Sequence, residues 1–194
     1  MNLLKKLKLV AGLQSEEENQ KEEQQDYGIL KDDTNDVVFA KTLIQKNGNF
    51  FYCDNKKELI KTIQALTKKL NLELIYCTES ILQELLDKSG ITYSTTDYSN
   101  CTAILSSCEY LIAHQGKIML SSKQLGANNI KNLPKEHIVI AYASQIVKSL
   151  NEAMSGVNMR YIDNLPSTIT TIKSCQLNDS ENTEGNVKKL SVLL

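Results

Sequence analysis

The order of apolar patterns along the chain predicts an α/β domain on a mainly parallel sheet flanked by helices. Three observations carry this. Strand-like and helix-like patterns alternate twice between Phe50 and Gly90, and a β-α-β-α order builds a parallel sheet. The run His137–Ala143 (HIVIAYA) is apolar on both faces, as a central strand of such a sheet must be. The 194 residues are 41% hydrophobic and 23% charged. A chain of about 150 residues hides roughly 70% of its unfolded surface, so wholesale disorder is excluded.

Taken in order, the chain opens on MNLLKKLKLVAGL, where Leu3, Leu4, Leu7 and Val10 fall near helical spacing with Lys5, Lys6 and Lys8 between them. This short, basic, amphipathic segment suits a membrane surface, a partner, or packing on its own domain. SEEENQKEEQQD follows without an apolar residue, too little surface to offset the entropy of ordering, and reads as a linker or a solvated helix. The expected division is therefore 1–28, segment plus acidic linker, and 29–194, the α/β domain. Phe50–Cys53 is β-prone, and Asp54 is placed to cap a helix carrying Leu59, Ile60, Ile63, Leu66 and Leu70. Leu72–Cys77 repeats the strand signal. Thr78 can cap a helix with Ile81, Leu82, Leu85 and Leu86, which Gly90 ends.

Cys101–Leu105, Tyr110–Ala113 and Lys117–Ser121 are three closely spaced apolar runs with Gly116 at a tight turn, the pattern of a local meander within the parallel sheet. After the central run, Ser144 is placed to cap a helix whose Ile146, Val147, Leu150, Ala153 and Met154 share a face, with Gly156 ending it. Leu190, Val192 and Leu194 alternate as a strand. The two prolines, Pro134 and Pro166, fall in expected loops.

The charge balance narrows the function. Twenty-two basic against 23 acidic residues give a net charge of −1, and Arg160 is the only arginine. Arginine forks read guanine and clamp phosphate, so a nucleic-acid surface is not expected. Cys53, Cys77, Cys101, Cys108 and Cys175 are widely spaced with no Cys-x-x-Cys, which argues against zinc or iron–sulfur ligation and for buried thiols in a reducing compartment. No run of 18 apolar residues and no cleavable leader pattern is present, so the expected location is the cytoplasm.

No nucleotide-loop, nucleophile-elbow or zinc-protease motif occurs. His114 and His137 with Cys108 match no metal-ligand spacing, and His114 reads as a loop histidine at a strand end rather than a base for a cysteine. No metal, cofactor or catalytic residue is assigned. Asn164–Ile172 (NLPSTITTI) places four hydroxyl residues after a proline. It reads either as an anion-binding segment or as a hydroxyl-rich strand.

From Cys108 to Met154 the chain resembles the lactate-utilisation (LUD) domain family, the group that contains the lactate-utilisation protein C type. Ile112-Ala113, Gly116 and Ser121-Ser122 match its first segment; Pro134 and His137–Val139 match its strand; Ser144-Gln145-Ile146-Val147 match the segment after it. Pro166-Ser167 and Ile172 match a later segment, and Gly185 a turn near the end, so that the resemblance extends over about residues 35–194. Thr168 stands where the family usually carries a basic residue, Thr171 where it carries an aspartate, and Lys117 where it carries a hydroxyl residue. The resemblance implies a three-layer α/β/α domain similar to the sugar-phosphate isomerase and CoA-transferase fold. It also implies an accessory role in oxidising lactate to pyruvate beside iron–sulfur partner proteins, not an enzyme acting alone. A small anionic or nucleotide-like ligand would sit at the strand ends, lined by Gly116, Lys117, Ser121, Ser167 and Thr168. The alternative is a non-catalytic scaffold or protein-interaction module on the same fold. A 5-formyltetrahydrofolate cyclo-ligase has a related architecture but needs a basic, glycine-rich loop that this sequence lacks.

Overall fold

The structure is a computed structural model and describes residues 28–174 and 187–194. The amphipathic segment and acidic linker, Cys175 and Gly185 lie outside the described residues.

Helix α1 (Asn35–Gln45) was not signalled by a clean apolar period, because Val38–Leu43 is buried all round, Lys41 and Thr42 included. Lys41 is accommodated by Asp33, 2.7 Å away, and by the Gly28 carbonyl at 2.9 Å. Strand β1 (Asn49–Phe51) leads to α2 (Lys56–Lys69). The cap of α2 is Asn55, one residue past Asp54: Asn55 Oδ1 accepts from the Lys57 and Glu58 amides at 3.0 and 3.1 Å. Strand β2 (Ile75–Tyr76) is followed by α3 (Ser80–Ser89), which Gly90 ends at φ +66°, the left-handed position expected of it. Glu79, not Thr78, is the residue before α3; the Thr78 hydroxyl instead donates to the Gln124 carbonyl at 3.0 Å.

Strands β3 (Tyr93–Ser94), β4 (Ala103–Ser106), β5 (Tyr110–Ile112) and β6 (Lys117–Ser121) precede the short α4 (Ser122–Leu125). Then come β7 (Glu136–Ile140), β8 (Ile146–Val147), α5 (Leu150–Arg160), β9 (Ile169–Ser174) and β10 (Val187–Leu193). The expected helix after Ser144 starts later. Residues 143–145 form a 3-10 turn, β-branched Ile146 and Val147 pair with β5, and Ser149 caps α5 by accepting from the Glu152 amide at 3.4 Å. Gly156 lies inside α5 rather than after it.

The ten strands form one sheet in the order β3-β2-β4-β7-β10-β9-β6-β5-β8, with β1 also paired to β10. The pairings among β3, β2, β4, β7, β10 and β1 are all parallel. Only β6 runs antiparallel to its neighbours, β5 and β9. The expected meander is thus β5 and β6 completed by β9, while β4 belongs to the parallel part.

Alternate residues of the parallel strands serve two cores. Phe51, Ile75, Ala103, Leu105, Ile138 and Leu193 meet α2 and α3 through Ile63, Leu66, Leu82 and Leu86. Phe50, Tyr76, Ile104, Val139, Leu190 and Val192 face the other way, against Phe39 and Leu43 of α1 and Ile118 and Leu120 of β6. Each fully buried Val, Leu, Ile or Phe among them contributes about 1.5–3 kcal/mol. Helix α5 closes the outer face of the antiparallel part through Ala153 and Val157 against Ile112 and Met119. The architecture is α/β, mostly parallel, with helices on both sides, consistent with three α/β/α layers. No helix among the described residues is long and apolar enough to cross a membrane.

Candidate functional site

Open α/β sheets expose the loops that follow the carboxyl ends of their strands, and ligands settle there. Here the loops after β2 and β4 meet. The Glu79 carboxylate, beyond β2, accepts from the Ser107 amide at 2.7 Å and from the Ser107 hydroxyl at 2.5 Å. Burial pushes the Glu79 carboxyl above its ordinary range and the nearby Glu109 adds to this, against the pull of the Ser107 donors.

Glu109 is wholly buried. A buried carboxylate is costly unless charge and hydrogen bonds compensate it, and Glu109 has both. Its Oε1 accepts from Ser121 Oγ at 2.7 Å, Gln124 Nε2 at 3.1 Å and the Tyr161 hydroxyl at 3.2 Å. Its Oε2 receives Arg160 Nη1 at 2.9 Å. Arg160 keeps 42% of its side chain exposed. Its guanidinium stacks 5.0 Å from the Tyr110 ring centre and 6.0 Å from that of Tyr161. Helix α5 delivers Arg160 and Tyr161, α4 delivers Gln124, and Ser121 ends β6. Lys123 brings its ammonium 5.6 Å from the Tyr161 ring centre. The Glu109 carboxylate and the Tyr110 hydroxyl, which accepts from Arg160 Nη2 at 3.2 Å, therefore orient a guanidinium that stays partly exposed.

Of the five residues expected to line a ligand, three share this end of the molecule. Ser121 is part of the Glu109 cluster. Ser167 and Thr168 are exposed next to it: the Ser167 amide donates to Ser122 Oγ and the Ser122 amide to the Thr168 carbonyl, both at 3.0 Å. Gly116 and Lys117 stand at the opposite end of β6, about 14 Å away at the usual rise of a strand. Both readings of Asn164–Ile172 have a place: Ile169–Ser174 is strand β9, and the residues before it form the exposed loop.

Sequence reasoning missed Glu79, Glu109, Gln124, Arg160 and Tyr161 as site residues. A usable signal existed for Glu109, a charge inside the apolar stretch Cys108–Ala113, and for Arg160, the only arginine. Neither buried thiol among the described residues is activated: burial pushes Cys77 up to about 11 and Cys108 in the same direction, with Glu109 adding to the latter. His114 sits exposed in the turn before Gly116, and His137 is buried with Nε2 2.7 Å from Ser106 Oγ.

Comparison with known proteins agrees with this architecture. The model of the LUD domain family matches residues 38–190. The crystal structure of a DUF162 family protein from Deinococcus radiodurans, at 1.70 Å resolution, superposes with a TM-score of 0.59 at 15% identity, covering 82% of this chain and 96% of that one. At that identity the likeness speaks for the fold. No curated protein matches the sequence.

Proposed function

As the chain belongs to the LUD domain family, we propose that this lactate-utilisation-related protein is an accessory component of the oxidation of lactate to pyruvate that binds a small anionic or nucleotide-like ligand at Arg160. The observation that carries the reading is the Glu109–Arg160 pair. A wholly buried carboxylate holds the guanidinium through Nη1 while 42% of the Arg160 side chain stays exposed, and a pre-oriented guanidinium is suited to a carboxylate or phosphate. Lys123, Ser167 and Thr168 flank it and would meet the rest of the anion. The basic group that the Pro166-Ser167 segment lacks is thus supplied from α5. The burial of Cys77 and Cys108 and a sequence without a ferredoxin-like cysteine run fit a component that leaves electron transfer to iron–sulfur partner proteins.

Calorimetric titration with lactate and pyruvate tests this. Saturable heat with at least one of them is expected, and Arg160→Lys, which keeps the charge but loses the fork, should weaken it at least tenfold while the variant still melts cooperatively. No saturable heat with either, or unchanged affinity in R160K, would overturn the reading. A second reading, a protein-interaction module, draws on the apolar residues exposed beside Arg160: Met159 at 70%, Ile162 at 76% and Leu165 at 56%. Ile162→Glu would then abolish lactate-dependent growth while leaving ligand binding intact.

A further inference from the structure

The opposite end of β6 gathers positive charge. Lys117 and Lys173 are direct partners in the antiparallel β6–β9 ladder, so both side chains leave the same face with Cβ atoms about 4.5–5.5 Å apart, and like charges so placed are destabilising. A third lysine joins them. Lys46, at the end of α1, donates its ammonium to the Gln115 carbonyl, in the turn that leads into Lys117. All three lysines are half-buried. The Gln115 carbonyl lies two positions before Lys117, so this hydrogen bond brings Lys46 beside the β6–β9 pair; burial first, then repulsion from Lys117 and Lys173, lowers the proton affinity of Lys46. The ion pairs among the described residues engage Lys41, Lys88, Arg160 and Lys189, and none of these three. The same turn leaves Gln115 Oε1 buried without a partner, a polar atom that a hydroxyl or water brought in with a ligand would satisfy.

The turn itself is fixed. Gly116 has φ +56°, and a Cβ there would lie 2.8 Å from Thr42 Cγ2 of α1. The turn therefore packs directly on α1 with no room for a side chain at Gly116, and Lys46 and Lys117 stand on the two elements that meet at this contact.

The geometry points to an anion-binding site formed by Lys46, Lys117 and Lys173 whose ligand is a phosphoryl group carrying two or more negative charges. Lysines bind phosphate as point charges, and three of them exceed what a monocarboxylate would neutralise. Residues 29–194 hold 18 basic and 17 acidic side chains, a near-neutral balance that suits a discrete ligand better than a polyanionic strand. This site lies at the other end of β6 from Arg160 and does not rest on the reading given above.

Titration of the full chain with inorganic pyrophosphate, in phosphate-free buffer at 50 and 200 mM salt, tests the site, with ADP as a second probe to separate a free phosphate ligand from a nucleotide. Saturable binding that weakens with salt is expected. Lys46→Gln and Lys173→Gln should each weaken it at least tenfold, while Arg160→Lys leaves it unchanged. Without anion, K173Q should raise the thermal midpoint, because it removes a like charge from a crowded place. Failure of pyrophosphate and ADP to saturate, wild-type affinity in K46Q and K173Q, or a lowered midpoint for anion-free K173Q would each overturn the proposal. Loss of lactate or pyruvate binding in R160K with intact pyrophosphate binding would show that the two sites stand or fall separately.

Discussion

His137 shows how one side chain can tie stability to pH. It lies on β7, fully buried, with Nε2 2.7 Å from Ser106 Oγ and Nδ1 without a partner. Burial, aided by the charge of Lys188, pushes its pKa down to about 3 from the ordinary 6.5. The folded protein thus holds His137 neutral where the unfolded chain would take up a proton. Its contribution is complete above pH 6.5 and is lost as the pH falls from 6.5 towards 3. Between pH 6.5 and 5 the loss is about 2 kcal/mol. Urea unfolding at pH 7.5 and pH 5 should show that difference in the wild type, and His137→Gln should reduce it by about that amount. The sequence placed His137 at the head of the central strand and weighed it against a metal-ligand role; its burial between β4 and β10 is what decides its behaviour.

At the scale of elements, Gly156 is the sharpest case. Read along the chain, a glycine after an apolar stripe ends a helix; in the structure it sits within α5, and a Cβ there would lie 2.2 Å from the Tyr110 hydroxyl oxygen. Propensity alone predicts that Gly156→Ala stabilises α5 by about 1 kcal/mol. Packing predicts the reverse, because Tyr110 lies under Arg160 and would be pushed off, an overpacking cost of about 1–3 kcal/mol. Chemical denaturation of G156A should show net destabilisation, and tight-packing residues cannot be told from helix-ending ones by spacing. The same limit explains the caps. Asp54 and Asn55 are equally good cap residues by type, and only the chain direction out of β1 selects Asn55. Helix α1 escaped notice for a related reason, since a helix covered on every side loses the polar stripe that reveals it.

The whole molecule is organised around β10. This strand pairs with β7, β1 and β9 and supplies Leu190 and Val192 to one core and Leu193 to the other. It joins the parallel part of the sheet to the antiparallel part, although its partners lie more than a hundred residues away in the case of β1. A chain ending at residue 186 would leave β1 unpaired, take from β7 one of its two neighbours and leave both cores open. Loss of cooperative thermal unfolding and of amide chemical-shift dispersion is the expected outcome; a dispersed, cooperatively melting truncated chain would show that β10 is dispensable. The alternation of Leu190 and Val192 announced a strand, but its burial on both faces, and so its central position, needed the fold.

What the sequence determined alone were the features set by short-range chemistry: the strand and helix order from β1 to α3, the left-handed stop at Gly90, the turn at Gly116, the apolar centre of β7, and the resemblance carried by residues 112–147 and 166–172. These depend on the period of side chains along one segment. The tertiary structure decided which distant groups meet. Glu109 and Arg160 are separated by 51 positions and joined at 2.9 Å, Lys46 and Lys173 approach from different layers, and Ser121 is separated from Lys117 by a strand's length although both lie in one short motif. Charge pairing acts through space over a few ångströms, and sequence separation carries no record of that distance until the sheet and helices are packed.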